Sequence, residues 1–100
     1  MPHVLSLVAF HCPEDHREAF LKSAREVLKP YWEARGSDRY EVYAEIGPTG
    51  PTGRVVEVNR FRDRESYLKM SEQVKTAKDL PAAPYRWLYQ PEFQVLEGRV

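Results

Sequence analysis

The sequence predicts an α+β sandwich, a four-stranded antiparallel sheet with two helices on one face. The main observation is the order of its hydrophobic periods, which are typical of strand, helix, strand, strand, helix and strand. The second observation is length, because a chain of 100 residues has room for one hydrophobic core. We therefore expect residues 1–100 to form a single βαββαβ domain. One face of the sheet is left without helices, and function is to be sought there.

The sequence pattern of the first half of the chain predicts one strand and one long helix. Val4 to Phe10 is almost continuously apolar, with Ser6 as its polar interior position, which is typical of a central strand. A proline followed by two acids predicts a helix that starts near Cys12. The apolar stripe of that helix continues past Pro30 and ends before Gly36. Because proline removes a backbone donor, we expect a kink or a short restart of the helix there.

The sequence pattern of the second half predicts a pair of strands, a helix and a last strand. Residues 39–46 and 54–61 both alternate between apolar and polar side chains. Between them, residues 47–53 hold three glycines and two prolines, which predicts a seven-residue connection. Asp63 is a good N-cap for a second helix that should end near Asp79. A short final strand is expected over residues 92–96.

Alternation assigns side chains to the two faces of the sheet. We place five residues beneath the helices: Tyr40, Val42, Ala44, Val56 and Val58. The opposite face then carries Glu41, Tyr43, Glu45, Glu57 and Asn59, with Val4, Ser6, Val8, Phe10, Val55 and Phe61. Such a mixed face suits two sheets that meet across a two-fold axis and leave a cavity between them. We therefore predict a homodimer that forms through the helix-free face. For Glu41 and Glu45 we favour a solvated sheet edge over a role in a site.

The predicted cavity supplies the candidate ligand-binding residues. Asn59 and Tyr43 are the first candidates, because an amide and a phenol can orient a small aromatic ligand. Trp87 belongs to an aromatic segment between prolines that favours a subunit interface or a cavity lid. The full candidate set is Ser6, Tyr43, Glu57, Asn59 and Trp87. The sequence does not identify catalytic residues.

Composition excludes several classes of function. Fifteen basic and fifteen acidic residues give a formal charge of zero, which argues against nucleic-acid binding. Cys12 is the only cysteine, so there is no internal disulfide and no paired-cysteine metal site. We expect no metal, no cofactor and no membrane span, and a cytoplasmic protein that begins directly with its first strand. The basic run at Arg60, Arg62 and Arg64 favours a solvated corner paired with Asp63 and Glu65, with an anion site as the alternative.

Several segments resemble NIPSNAP-type domains of the dimeric α/β-barrel superfamily, in which ferredoxin-like sheets pair. They are Glu45 to Pro48, Arg54 to Phe61, Arg62 to Ser66 and Lys29 to Gly36, and the likeness covers roughly residues 4–78. The first strand lacks the Glu-x-Arg pair that this family often carries. The family is mostly of undefined biochemical role, while relatives in the superfamily include cofactor-free monooxygenases and haem-degrading enzymes. No histidine follows His16, so the second helix cannot supply a haem ligand of the kind those relatives use.

Two classes of function are left open by these observations. The first, which we favour, is a homodimeric small-molecule-binding or interaction protein of NIPSNAP-like type. The alternative is a cofactor-independent monooxygenase or isomerase that acts on an aromatic or polyketide-like substrate in the barrel cavity. In that alternative, Tyr43, Asn59 and Trp87 would position a substrate whose own carbanion reduces oxygen.

Overall fold

The sheet has the predicted four antiparallel strands. The computed structural model describes residues 2–75 and 89–99, and these include strands β1 Val4–His11, β2 Arg39–Gly47, β3 Gly50–Phe61 and β4 Tyr89–Glu97. Their spatial order is β2-β3-β1-β4, and every pairing is antiparallel. The first and third strands in sequence are therefore central, as expected for a split βαβ arrangement. The α+β prediction is confirmed.

The first helical stretch is interrupted next to its proline and restarts as a short helix. Helix α1 (Glu14–Ser23) continues through a π-helical turn (Ala24–Leu28) into helix α2 (Lys29–Glu33). The backbone N–H of Lys29 donates to the carbonyl of Ala24, five residues back, which is the π-helical pattern. Pro30 lacks an N–H and its ring crowds the carbonyl four residues earlier, so the wider turn relieves that contact.

A second helix follows the strand pair. Helix α3 spans Arg64–Lys75, and the Asp63 carboxylate accepts a hydrogen bond from the backbone N–H of Ser66 at 2.8 Å. This is the predicted N-cap, because the side chain satisfies a donor that the first helical turn leaves without a partner. The predicted end near Asp79 lies outside the described residues.

The face assignment is right for β2 and wrong for β1 and β3. Tyr40 is buried and Val42 is half-buried against the helices, as predicted. On β3, however, Tyr40 pairs with Asn59 and Val42 pairs with Glu57, so these two polar residues share the helix-covered face. On β1, the residues beneath the helices are Val4, Ser6, Val8 and Phe10. The placement of Glu57, Asn59 and Ser6 on the helix-free face is therefore wrong.

The length of the β2–β3 turn explains this error. A connection of seven residues would place even-numbered residues of β2 opposite even-numbered residues of β3. Instead, Gly47 pairs with Gly50, so the turn has only Pro48 and Thr49 at its tip, and even-numbered residues face odd-numbered ones. Because side chains alternate along a strand, this change of one residue turns all of β3 over.

The core consists of two apolar clusters beneath the helices. One contains Phe10, Cys12, Phe20, Ala24, Leu28, Tyr40 and Val55. The other contains Val4, Phe61 and Met70, and the half-buried Trp32 packs against both. Along β3, Val55 belongs to the first cluster and Phe61 to the second, so the intervening Glu57 and Asn59 lie where the two clusters meet.

The opposite face of the sheet, here called the open face, is more apolar than predicted. None of the described helices packs against it. Register places Leu5, Leu7 and Ala9 of β1 beside Val56 and Val58 of β3. Tyr43 and Leu96 extend this surface on the outer strands and are exposed. Arginines and acids lie around it, including an ion pair between Arg39 Nε and Glu41 Oε1 at 3.3 Å.

The central packing contact of α1 gives a stability prediction. Phe20 is fully buried and its ring meets that of Phe10 edge-on, with centroids 5.1 Å apart. Phe20→Ala should lower the free energy of unfolding by about 3 to 5 kcal/mol, because a cavity remains in a packed core. Lys22→Ala, on the exposed side of the same helix, should change it by less than about 0.5 kcal/mol. Urea unfolding of both variants checks this, and equal losses would contradict the assigned helix faces.

Candidate functional site

A buried polar cluster lies between the sheet and the helices. It consists of Ser6 on β1, Tyr40 on β2, and Glu57 and Asn59 on β3. Asn59 pairs with Ser6 on one side and with Tyr40 on the other, so the cluster crosses three neighbouring strands. Glu57 is 2% exposed and Asn59 is 6% exposed, and Ser6 is half-buried. Polar side chains at this depth are unusual in a domain of 100 residues, because each loses its hydration on folding.

The shortest contact in the cluster joins Tyr40 to Glu57. The Tyr40 hydroxyl donates a hydrogen bond to Glu57 Oε2 across 2.8 Å, and both residues are buried. A hydrogen bond to a carboxylate inside a core is stronger than one at the surface. It offsets part of the cost of burying Glu57, since an uncompensated buried carboxylate would cost several kcal/mol. The pair is therefore a fixed polar group in an otherwise apolar interior.

Asn59 has an acceptor without a partner among the described residues. Its Oδ1 is buried and accepts no hydrogen bond from any of them. Most buried polar atoms in folded proteins have a partner, and an unsatisfied one is destabilising by about 1 to 3 kcal/mol. A bound molecule with an N–H or O–H group would supply the missing donor.

A cleft approaches the cluster from the edge of the sheet. It has a volume of about 240 Å³ and is lined by Leu21, Ala24, Arg25, Lys29, Tyr40, Glu41 and Val42. One wall is therefore the end of α1 with the π-helical turn, and the other is β2. Tyr40 lies in the wall of the cleft and also bonds to Glu57, which connects this opening with the buried cluster. π-Helical turns occur often at functional sites, because the widened turn changes the spacing of neighbouring side chains.

The structure brings together three of the five predicted site residues. Ser6, Glu57 and Asn59 lie in one cluster, but beneath the helices rather than on the open face. Tyr43 pairs with Val56 and lies on the open face, so it cannot share a site with Asn59. A hydrogen bond to Glu41 raises the pKa of Tyr43. Trp87 lies outside the described residues.

Tyr40 is the site residue that sequence reasoning missed. The alternation of β2 predicts it in the core, where it lies, but its hydroxyl also contacts the buried carboxylate. The pairing of Tyr40 with a residue of β3 is the signal that could have identified it. Once β2 and β3 are aligned through a two-residue turn, Tyr40 and the two buried polar residues of β3 fall on one face.

Within residues 2–75 and 89–99, the cysteine and the potential metal ligands do not form a second candidate site. Cys12 is buried, and this burial raises the pKa of its thiol, so the reactive thiolate is disfavoured. No group of three or more His, Cys, Asp or Glu side chains in these ranges is arranged to hold a metal ion. No helix in the same ranges is long and apolar enough to cross a membrane.

Comparison with solved structures identifies the architecture. A dimeric ferredoxin-like protein from an uncultured marine organism superposes with a TM-score of 0.69 at 20% identity, over 99% of this chain and 89% of that one. The fold is ferredoxin-like. A NIPSNAP family protein of unknown function from Agrobacterium tumefaciens has a TM-score of 0.69 at 9% identity, covering 96% of this chain and 87% of that one.

A third similar structure comes from Nitrosomonas europaea, and its assignment as an antibiotic biosynthesis monooxygenase is provisional. It has a TM-score of 0.67 at 18% identity, covering 96% of this chain and 89% of that one. No family model and no curated protein matches the sequence. Likeness at these identities establishes the ferredoxin-like fold alone, because one fold hosts many unrelated functions.

The Tyr40 hydroxyl gives a test of the cluster itself. Tyr40→Phe removes the donor to Glu57 and should lower the free energy of unfolding by about 1 to 3 kcal/mol at neutral pH. Tyr43→Phe, the same change on the open face, should lower it by less, because the Tyr43 hydroxyl bonds to Glu41 rather than to a carboxylate in the core. Denaturant unfolding of the two variants measures the difference. A Tyr40→Phe variant as stable as the wild type would show that the contact does not stabilise the buried carboxylate.

Proposed function

We propose that this protein is a homodimer that binds one small, neutral, aromatic or similarly apolar molecule per protomer, between the sheet and the helices. The observation that carries the proposal is the buried polar cluster, in which a carboxylate and an unsatisfied amide oxygen lie inside an apolar core. Such a cluster destabilises the fold, so we expect its residues to be kept for a function. Ligand sites typically combine apolar walls with a few polar groups of this kind.

The polar groups define the chemistry of the ligand. Asn59 Oδ1 accepts a hydrogen bond, so the ligand presents an O–H or N–H at that point. Apolar side chains of both core clusters lie on either side along β3, among them Val55 and Phe61. A phenol or a hydroxylated ring system fits these requirements, because it has one donor and a large apolar surface. The cleft beside Tyr40 provides the route of entry.

The open face supports the dimer. Leu7, Ala9, Val56 and Val58 form an apolar patch across the two central strands, and Leu5 extends it opposite Arg60. Burying it against a second copy would remove on the order of 1,000 Å² or more from water in total, which is sufficient for a stable interface. Two structures of the same fold, both from uncultured marine organisms, are described as dimeric, which agrees with this arrangement.

A cofactor-independent monooxygenase is the second candidate. It is favoured by the buried carboxylate, because Glu57 could remove a proton from a phenolic ligand and produce an electron-rich anion. That anion would reduce molecular oxygen and be oxidised to a quinone. A ring carbon exchanges its hydrogen for one oxygen atom, and the other oxygen atom leaves as water with the two hydrogens that the phenol loses. The provisional assignments of similar structures from Nitrosomonas europaea and Bacillus cereus agree with this chemistry.

The ligand site is tested by substitution of its unsatisfied amide. Asn59→Leu removes the polar group at similar volume and should weaken the binding of a donor-bearing ligand by about 1 to 3 kcal/mol while the fold is kept. Thermal shift with a panel of phenols and hydroquinones identifies a ligand, and titration calorimetry measures its affinity. Gln73→Leu is the matched control, because it makes the same kind of change on the surface of α3.

Equal ligand affinity in wild type and Asn59→Leu would reject this site. Oxygen consumption with the same panel separates the two candidates. Turnover that is lost in Glu57→Gln, while ligand binding persists, would establish the monooxygenase. Binding without oxygen consumption would support the binding protein.

The dimer interface is tested at the centre of the open face. Val58→Glu should raise the dimer dissociation constant by at least about 100-fold, because two unpaired carboxylates are brought into an apolar contact. Leu68→Glu is the control, since Leu68 is 53% exposed on α3 and lies away from the open face. Sedimentation at low micromolar concentration gives the oligomeric state. A monomeric wild type, or dissociation caused equally by both substitutions, would contradict this interface.

A further inference from the structure

A basic groove lies between the end of α2 and the start of α3, away from the buried polar cluster. Its volume is about 410 Å³, and its walls are the turn at Ala34, Arg35, Gly36 and Asp38 and the α3 side formed by Arg62, Ser66, Lys69 and Gln73. Six of these eight lining residues carry a polar or charged side chain. An apolar ligand of the kind proposed above would find little to contact here. The groove suits a polar molecule.

The charges in the groove are predominantly positive. Arg35, Arg62 and Lys69 face one acidic lining residue, Asp38. The chain as a whole has a formal charge of zero, so this local excess does not reflect a generally basic protein. Lys69 forms no ion pair with any other described residue. Arg62 Nε lies 3.7 Å from Asp63 Oδ2, but 81% of the Arg62 side chain is exposed. Both are therefore accessible to a bound anion.

The walls of the groove are held in place by contacts outside it. The backbone N–H of Asp38 donates to the carbonyl of Arg60 at 2.8 Å, which fixes the turn to β3. Gly36 adopts a φ of +103°, a conformation that other residues rarely adopt, and this allows the tight reversal between α2 and β2. A preformed groove binds with a smaller loss of conformational entropy than one that must close around its ligand.

The basic side chains are also oriented. The guanidinium carbon of Arg35 lies 3.6 Å from the centroid of the Tyr31 ring, and its Nη1 donates to the Tyr31 carbonyl at 3.1 Å. Arg62 Nε donates to Ser66 Oγ at 3.2 Å. Asp63 caps the backbone N–H of Ser66, and this hydrogen bond lowers the pKa of the Asp63 carboxyl. Since the helix N-terminus is capped by the protein's own carboxylate, an anion would be bound by side chains.

We propose that the basic groove is a second binding site, for a small molecule that carries a phosphate or carboxylate group. The guanidinium groups of Arg35 and Arg62 are suited to hydrogen bonds with such oxygens, and Lys69 adds a point charge to the same lining. The volume is in the range of small metabolite sites. The site shares no residue with the buried polar cluster, so it is independent of the proposed function.

Titration calorimetry with inorganic pyrophosphate and with citrate tests the proposal and distinguishes the two ligand chemistries. The double variant Arg62→Gln/Lys69→Gln should bind the preferred anion about five- to tenfold more weakly. Lys22→Gln/Lys75→Gln removes the same charge outside the groove and should bind as the wild type does. Asp38→Asn should bind about two- to threefold more tightly, because it removes the opposing carboxylate.

The increase in affinity for Asp38→Asn keeps the test informative if the double variant folds poorly. Equal weakening in both double variants would overturn the proposal, because it would indicate a diffuse effect of net charge. Absence of binding by either anion up to about 10 mM would also overturn it. Selective loss with pyrophosphate alone would assign a phosphate, and selective loss with citrate alone would assign a carboxylate.

Discussion

The pairing of β2 with β3 determines the position of every group that could carry function. Tyr40 opposite Asn59, and Val42 opposite Glu57, place two polar residues of a central strand beneath the helices. The same pairing turns Val56 and Val58 outward. A shift of one residue would turn the acid and the amide to the open face and bring Val56 and Val58 beneath the helices. The interior polar site and the apolar open face are therefore two consequences of one register.

The interior polar groups are costly for so small a domain. Replacing a buried hydrogen-bonded carboxylate by a well-packed apolar side chain is often neutral or stabilising, so stability alone does not account for Glu57. The domain instead divides its core, with Phe20 and Leu28 in one apolar cluster and Phe61 and Met70 in the other. Function is expected where a sequence departs from a simple apolar core, because residues that destabilise the fold are retained for another role.

The order and type of the elements could be predicted because hydrophobic periods, the proline near the start of α1 and the Asp63 cap are local signals. The faces of β1 could not, because apolar residues such as Leu5 and Val8 lie on both sides of a central strand. The faces of β3 depended on a turn that looked seven residues long and has two residues at its tip. The contact between Tyr40 and Glu57 depends on that register. The sequence therefore predicted some residues of the site, but it placed them on the wrong face of the sheet.

Alternation along β3 also links the two proposed surfaces physically. Val56 and Val58 contact whatever covers the open face, while Glu57 and Asn59, their immediate neighbours in sequence, face the interior. A partner on the open face would not block the interior site, because the two lie on opposite sides of the sheet. It would restrict the motion of the strand that holds the carboxylate and the amide. A site whose polar groups are already fixed loses less entropy on binding, so dimerisation should favour ligand binding without contributing a residue to it.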